Sequence, residues 1–406
     1  ERMDCMYGDI LKDRRIVLGV CGGIAAYKSV ELVRLLTVAG ARVRVIMTQH
    51  ARWFVGPTTF GALTGEPVYD QLFQENRDAS IRHIEWAENA DAVIIAPATA
   101  NIIGKMANGI ADDALSTFLL AVTAPILVCP SMNTHMYENH AVQRNLGVLK
   151  TDGCHILAPA SGQLACGAFG AGRLPEPAEI CDRTVALLSR KDLVGKTVLV
   201  TAGPTREAID PVRFISNPSS GKMGYAIARA AEYRGARVIL VSGPVALADP
   251  LNVSVERVQS ALQMADAVFS HLDEAHIVIK AAAVGDYRPE QAAGHKIKKH
   301  NDRMSLNLVQ NPDILKEIGR EKGGRFLVGF AAETRDLEAN SLKKISQKNL
   351  DMIVGNLVSR PDSGFSTDAN QAVFFYSDGS REEFPLMDKF LLANALLDRV
   401  VARMAG

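Results

Sequence analysis

Hydrophobic residues change their period twice, in the same way, along this chain. Arg15 to Val20 (RIVLGV) is an apolar run of strand length, followed by the turn Cys21-Gly22-Gly23. From Ala25 to Ala39 the apolar positions recur every three to four residues, the spacing of one helix face; Gly40 ends the run and ARVRVIMT reads as a second strand. Near residue 196 the pattern returns. Lys196 to Thr201 (KTVLVT) predicts a strand, a helix follows around Met223 to Arg234, Gly235 ends it, and ARVILVSG is the next strand. Further short apolar runs, ADAVIIAP and APILVCP in the first half and AHIVIKAAA, RFLVGFAAE and LDMIVGN in the second, alternate with helical stretches. Such alternation builds parallel sheets covered on both faces. The fold class expected is α/β, two tandem doubly wound parallel-sheet domains. The polar segment SRKDLVGK, Ser189 to Lys196, reads as the linker, giving an N-terminal extension at 1–14 and domains at 15–190 and 191–406. Near the end, NQAVFFYSDGSREEFPL predicts a hairpin with Asp378-Gly379 at its turn, then a last helix to about Met404.

Composition removes several function classes. Lys plus Arg and Asp plus Glu are both 45, so the chain lacks the basic field that nucleic acids or anionic membranes require. A hydrophobic fraction of 48% with 22% charged residues is that of a globular protein. The longest apolar stretch, Phe118 to Cys129, is interrupted by Thr123 and Pro125 and falls short of the roughly 18 residues of a membrane span. Six cysteines form no CxxC pair and none lies beyond Cys181, against zinc or a disulfide framework. The first 14 residues hold no signal-like apolar core, so a cytoplasmic protein without membrane or nucleic-acid partners is expected.

The glycine turns invite a dinucleotide reading, which fails. Gly19, Gly22 and Gly23 do not fit GxGxxG, nor does Thr201-Ala202-Gly203-Pro204. Met47-Thr48 and Ser242-Gly243 stand where an acid should hold the ribose. Gly221-Lys222 ends like a Walker A loop, but its leading glycine would be Ser216.

Four segments of the first half carry chemistry instead. CGGIAAYK, Cys21 to Lys28, offers amides at a helix start for a phosphate monoester. The others are His83 in IRHIEWAENAD, IIAPATAN from Ile94 to Asn101, and PSMNTHMY from Pro130 to Tyr137. All but the His83 segment fall at the carboxyl ends of strands, where open α/β sheets bind ligands. Farther on, SGQLACGAFGAGRL surrounds Cys166 with glycines, the composition of a mobile lid.

His83, the PxMNxxM string at Pro130 to Met136 and the ACGxxGxGR string at Ala165 to Arg173 resemble the flavin-dependent cysteine decarboxylases. The second half, with PTREAIDPVRFISNPSSGKMG, AAAVGDYRP, KIKK and GFAAET, resembles the phosphopantothenate–cysteine ligases. Together they resemble the bacterial bifunctional family of coenzyme A biosynthesis that fuses the two activities. Cys21, Ala168 and Gly285 depart from that family's usual Ser, Asp and Ala.

The resemblance implies FMN, its phosphate at Gly22 and Gly23 and its ring near Thr48, Ala98, Thr99 and Ser116. His83 is then the base for thiol oxidation, Asn133 the ligand of the substrate carboxylate, and Cys166 the proton donor in the final reduction. For the second half it implies CTP and an acyl-cytidylate, with Mg²⁺ bridging phosphates. Nucleotide contacts carry over to Ala281, Ala282, Asp286, Lys296, Phe330, Lys344, Lys348 and the run Pro312, Asp313, Ile314, Leu315. Asn217 and Arg213 handle the intermediate, and Lys296, flanked by Lys298 and Lys299, faces the reacting phosphate. Implied substrates are 4′-phosphopantothenate, cysteine, CTP and 4′-phosphopantothenoylcysteine. Metal ligands are not legible. An FMN-binding regulatory module and a flavin oxidoreductase are the rival readings. The family's decarboxylases are trimers and its ligases dimers, which close together at six or twelve chains. A linker of at most ~28 Å favours twelve, a homo-oligomer of roughly 526 kDa.

Overall fold

The computed structural model describes residues 10–71, 82–163, 167, 169–298, 304–333, 336–357 and 368–405, with the side chains of 82, 83, 333 and 357 excepted. The chain forms two compact units, Glu1–Ser189 and Arg190–Gly406.

In the N-terminal unit the strands are β1 (Arg15–Val20), β2 (Arg42–Met47), β3 (Ala92–Ala98), β4 (Ile126–Pro130) and β5 (His155–Ile156). They form one parallel sheet in the order β2-β1-β3-β4-β5. All seven residues of β3 are buried, the mark of a central strand covered on both faces. The helix expected over Ala25–Ala39 spans Ala26–Val38 and buries Leu32, Val33 and Leu36. Strand order reverses between β1 and β3, so the loops after them diverge and leave a crevice at their carboxyl ends.

The glycine-rich segment expected as a mobile lid is flanked by an antiparallel pair, β6 (Ala160–Gln163) and β7 (Phe169–Arg173), while residues 164–166 and 168 between them lie outside the described residues. Its second arm is fastened to the strand end after β4: the Met132 N–H donates to the Gly172 carbonyl at 3.0 Å. Gly172 has φ +147°, and a Cβ there would stand 2.1 Å from the Met132 carbonyl oxygen. Only glycine permits that approach.

In the C-terminal unit the main strands are β8 (Thr197–Ala202), β11 (Arg237–Ser242), β12 (Ser254–Arg257), β13 (Ile277–Lys280), β16 (Phe326–Glu333), β17 (Met352–Leu357), β18 (Ala369–Tyr376) and β19 (Arg381–Asp388). Two short antiparallel pairs, β9 (Arg206–Ala208) with β10 (Phe214–Ser216) and β14 (Tyr287–Pro289) with β15 (Leu308–Gln310), stand apart. The sheet order is β12-β11-β8-β13-β16-β17-β18-β19. The pairings from β12 through β17 are parallel, and the terminal hairpin joins the same sheet antiparallel through β17 and β18, which makes it mixed rather than wholly parallel. At the hairpin turn Ser377-Asp378 are central and Gly379, at φ +83°, takes the left-handed position after them, donating to the Tyr376 carbonyl at 3.0 Å.

The segment expected to be a free linker is largely tied down. Leu193 is buried, its N–H donates to the Arg234 carbonyl at 3.0 Å, and Lys191 Nζ donates to the Tyr233 carbonyl at 2.6 Å. An apolar side chain in the middle of a polar segment found a pocket in the second unit. Among the described residues no helix is long and apolar enough to cross a membrane.

Candidate functional site

In the N-terminal unit Gly22, Gly23, Thr48, Thr99 and Asn133 line one cavity of about 1060 Å³ at the carboxyl ends of β1, β2, β3 and β4. Gly22 packs where a Cβ would lie 2.4 Å from the His50 Cβ, which keeps backbone rather than side chain at the cavity floor. The helix Ala26–Val38 starts beside it with no capping side chain and no acidic residue in its first turn. Its positive dipole end suits an anion. Thr48 Oγ1 is buried without a hydrogen-bond partner. A hydroxyl aimed at nothing, a glycine floor and an uncapped helix start together fit a flat ring bearing a phosphate. Asn133 caps the short helix Thr134–Glu138, accepting from the His135 N–H at 2.9 Å.

Other expected residues stand elsewhere. Ala98 is fully buried and Ser116 nearly so, and neither lines the cavity. Ser116 Oγ is engaged at its own helix start, accepting from the Asp113 N–H at 3.1 Å and donating to Asp113 Oδ1 at 2.9 Å. His83 falls in the helix Arg82–Asn89, but its side chain lies outside the described residues, as does Cys166. Cys21 is buried behind the glycine floor, where burial outweighs a hydrogen bond from Thr99 and pushes its thiol up to about 12. It stays a neutral thiol at physiological pH.

In the C-terminal unit Asn217, Ala281, Ala282, Asp286 and Phe330 line a cavity of about 480 Å³. Asn217 Nδ2 donates to the Val284 carbonyl at 3.1 Å, which fixes the amide at the cavity rim. Leu315, Lys344 and Lys348 line a smaller space of about 80 Å³ that shares Lys280, Ala282 and Phe330 with the larger one. Asp313 lines neither; it caps the helix Ile314–Arg320 through the Lys316 N–H at 3.1 Å and accepts from Lys348 at 2.8 Å. Ile314 belongs to the core, and Pro312 lines neither space. Lys296 is exposed on a loop outside both, and Arg213 is turned to that loop, donating to the Ile297 carbonyl at 3.3 Å. Lys299 lies outside the described residues.

Two family models match the chain: Flavoprotein over residues 6–189, and DNA/pantothenate metabolism flavoprotein C-terminal domain over residues 193–404. Coenzyme A biosynthesis bifunctional protein CoaBC from Bacillus subtilis is 50% identical over 397 residues, covering 97% of this chain and 98% of that protein. The Escherichia coli K12 protein of the same name is 48% identical over 398 residues, covering 97% and 98%. The chain belongs to the bifunctional CoaBC family of coenzyme A biosynthesis. Among solved structures, the C-terminal domain of a CoaBC protein is 43% identical, covering 53% of this chain and 98% of that one, at a TM-score of 0.46. The FMN-dependent cysteine decarboxylase SpaF is 33% identical, covering 42% and 99%, at 0.36.

In this CoaBC family member the cavities also hold charged residues that the sequence pattern did not assign to a site. Lys105 reaches the flavoprotein cavity between Asp112 and Asp113, at 2.5 and 2.6 Å, and the pair holds its ammonium above the ordinary lysine value despite burial. In the second cavity Lys222, Lys280 and Lys389 line the wall, with Asp286 the one carboxylate among its described lining residues. Burial, then the neighbouring Lys348, brings Lys280 down to about 8 against the pull of Asp313 and Asp286. Burial, then Lys222, does the same to Lys389, against Asp368 and Asp388. Lys222 itself pairs with Asp368 at 2.7 Å. Lys222 stood out in the sequence only as the end of a failed Walker A match, and Lys389 follows an aspartate; the clearest signal was Lys280 closing the apolar strand IVIK, where a solvated charge is out of place.

Proposed function

We propose that the two cavities carry consecutive reactions of coenzyme A biosynthesis. The C-terminal unit joins 4′-phosphopantothenate to cysteine with Mg²⁺·CTP. The N-terminal unit, with FMN, converts the 4′-phosphopantothenoylcysteine formed into 4′-phosphopantetheine and CO₂. The observation that carries the reading is the cavity beside the end of β13, lined by Lys222, Lys280 and Lys389 with Asp286 as the one carboxylate among its described lining residues, a charge balance that suits a polyanion.

In the first reaction a carboxylate oxygen of phosphopantothenate attacks the α-phosphorus of CTP and pyrophosphate leaves. The cysteine amine then attacks the acyl carbon and CMP leaves. Lys344, Lys348 and Lys280 neutralise the triphosphate, with Ala281, Ala282, Phe330 and the Pro312–Leu315 stretch around the nucleoside. Lys296 stabilises charge growing on the reacting phosphate, and Asn217 holds the acyl-cytidylate for the amine. Mg²⁺, when bound with the nucleotide, would neutralise phosphate charge, and Asp286 on the wall of the same cavity would be the residue to hold it. The expected result is pyrophosphate release from CTP that requires phosphopantothenate, with CMP appearing once cysteine is added. Pyrophosphate release independent of phosphopantothenate would remove the ligase reading.

In the second reaction decarboxylation needs an electron sink β to the carboxylate. FMN, when bound, supplies it by taking two electrons from the cysteinyl thiol and later returning them. His83 takes the thiol proton, Asn133 holds the carboxylate until CO₂ leaves, and Cys166 delivers a proton to the resulting carbon. Gly22, Gly23 and the helix start hold the phosphate, and Thr48 and Thr99 the ring. The holoprotein is then yellow, absorbing near ~450 nm. A twelve-chain assembly with three-fold and two-fold contacts completes the proposal, and the anchoring of Leu193 leaves still less tether than eight residues to fold a smaller one.

A further inference from the structure

We infer that Asp210 is a positioning residue of the ligase reaction, its carboxylate clamping the segment that carries Lys296 against the turn that carries Arg213. The inference rests on the role proposed for Lys296. The Asp210 side chain is fully buried. Its Oδ1 accepts the N–H groups of Val212 and Arg213, each at 2.8 Å. Its Oδ2 accepts the N–H of Ile297 at 3.1 Å and faces the Arg213 guanidinium at 3.5 Å. Arg213 Nη1 closes the circuit on the Ile297 carbonyl. A second stitch lies beside it, from the Ala293 N–H to the Ile209 carbonyl at 2.9 Å.

A turn alone does not call for this arrangement. An aspartate that only stabilised its own turn would need the Val212 and Arg213 amides. The third amide comes from 87 residues farther along the chain and belongs to the residue bonded directly to Lys296. Burial alone would raise the Asp210 pKa. The three amides and the guanidinium overcome it and hold the group below the usual carboxylate range, so the clamp is charged at neutral pH. Lys296 is exposed and reaches its phosphate on four flexible methylenes, so the direction of its backbone decides where the ammonium spends its time. Misplacement by about 1 Å costs on the order of a hundredfold in rate.

The test uses the full-length, flavin-loaded protein with Asp210→Asn, which keeps the size of the side chain and turns an NH₂ toward one of the N–H donors. Pyrophosphate release with Mg²⁺·CTP and phosphopantothenate is expected to fall about 10–100-fold in kcat, with KM for CTP within about twofold because the cavity walls do not move. Amide hydrogen exchange is expected to accelerate over residues 291–298 and to stay unchanged over 197–202 and 277–280. An unchanged kcat, or kcat and KM changing together with faster exchange across the sheet, overturns the clamp. Should Asp210→Asn melt the ligase unit, Asp210→Glu, which keeps the charge on a longer arm, carries the same comparison with the same two overturning results. Wild-type protein that releases no pyrophosphate overturns the ligase reading itself; active wild type beside an equally active Asp210→Asn overturns the clamp alone.

Discussion

Lys348 Nζ stands 2.8 Å from Oδ2 of Asp313, the residue that caps the helix Ile314–Arg320. The pair joins the last turn of the helix Leu337–Lys348 to the start of another, and Lys280 feels both charges. Asp313 is held below the usual carboxylate range by Lys348 and the Lys316 amide, against its own burial. In the proposed ligase reaction an incoming triphosphate would compete with Asp313 for an ammonium already in place.

Lys348→Met therefore raises KM for CTP by about tenfold, the effect of losing one charge-assisted contact to phosphate. The pair is partly exposed, so its loss moves the melting temperature by no more than about 2 °C. Steady-state kinetics beside a thermal melt separates the two effects; a large drop in melting temperature with an unchanged KM counts against the nucleotide role.

The two lowered lysines give the ligase a pH signature. Lys280 and Lys389 both lose their protons near pH 8, well below the ordinary lysine value. Below that pH both are charged and, in the proposed reaction, would bind the polyanion; as pH rises through it, kcat/KM for CTP is expected to fall on a limb steeper than one proton. In Lys280→Met the limb reports one proton and starts from a lower plateau. Stability of the ligand-free ligase unit runs the other way. Between pH 8 and 10 the unfolded lysines bind more protons than the folded ones, so these groups make the fold more stable as pH rises. A kcat/KM profile flat from pH 7 to 9.5 contradicts the assignment.

The elements were legible where a single rule governed them. Ile16–Val20 and Thr197–Ala202 are buried on both faces, so a short, mostly apolar run identifies them. The terminal hairpin followed from Asp378-Gly379, although its docking on β17 depends on an edge that the local sequence does not describe. The cavities were harder. Thr48 and Thr99 lie at the ends of parallel strands, where topology marks ligand loops, whereas Asn217 follows a short antiparallel strand outside the main sheet. Lys280 and Lys389 stand 109 positions apart in the sequence and meet in one cavity because of strand order, which no spacing rule anticipates. Asp210 resembles an ordinary turn aspartate until the Ile297 amide arrives from outside its own segment.

Thr48→Val separates cofactor from fold. The hydroxyl is buried and unpaired, so replacing it with a methyl group removes a polar atom of about 1 kcal/mol cost and raises the melting temperature of the flavin-free protein. If Thr48 holds the ring as proposed, the same change takes away a hydrogen bond to it, so the purified variant is expected to retain less flavin after gel filtration. A variant that is both less stable without flavin and equally yellow refutes the ring-binding role.

Cys166→Ser is expected to decarboxylate and then stall, accumulating an unsaturated thiol because the serine hydroxyl is a far weaker proton donor at this step. A mass-spectrometric time course reads it: the stalled product supports the role, and full conversion to 4′-phosphopantetheine removes it.

In the proposed scheme one chain performs both reactions in sequence. The direct measurement incubates the purified, flavin-loaded protein with 4′-phosphopantothenate, cysteine, CTP and Mg²⁺, following CO₂, CMP and the thiol product together. The account predicts one CO₂ and one CMP for each 4′-phosphopantetheine formed, with 4′-phosphopantothenoylcysteine as the transient between them. CMP release with no CO₂ from a fully flavin-loaded protein, or CO₂ from added 4′-phosphopantothenoylcysteine without any CTP-dependent synthesis of it, would contradict the account.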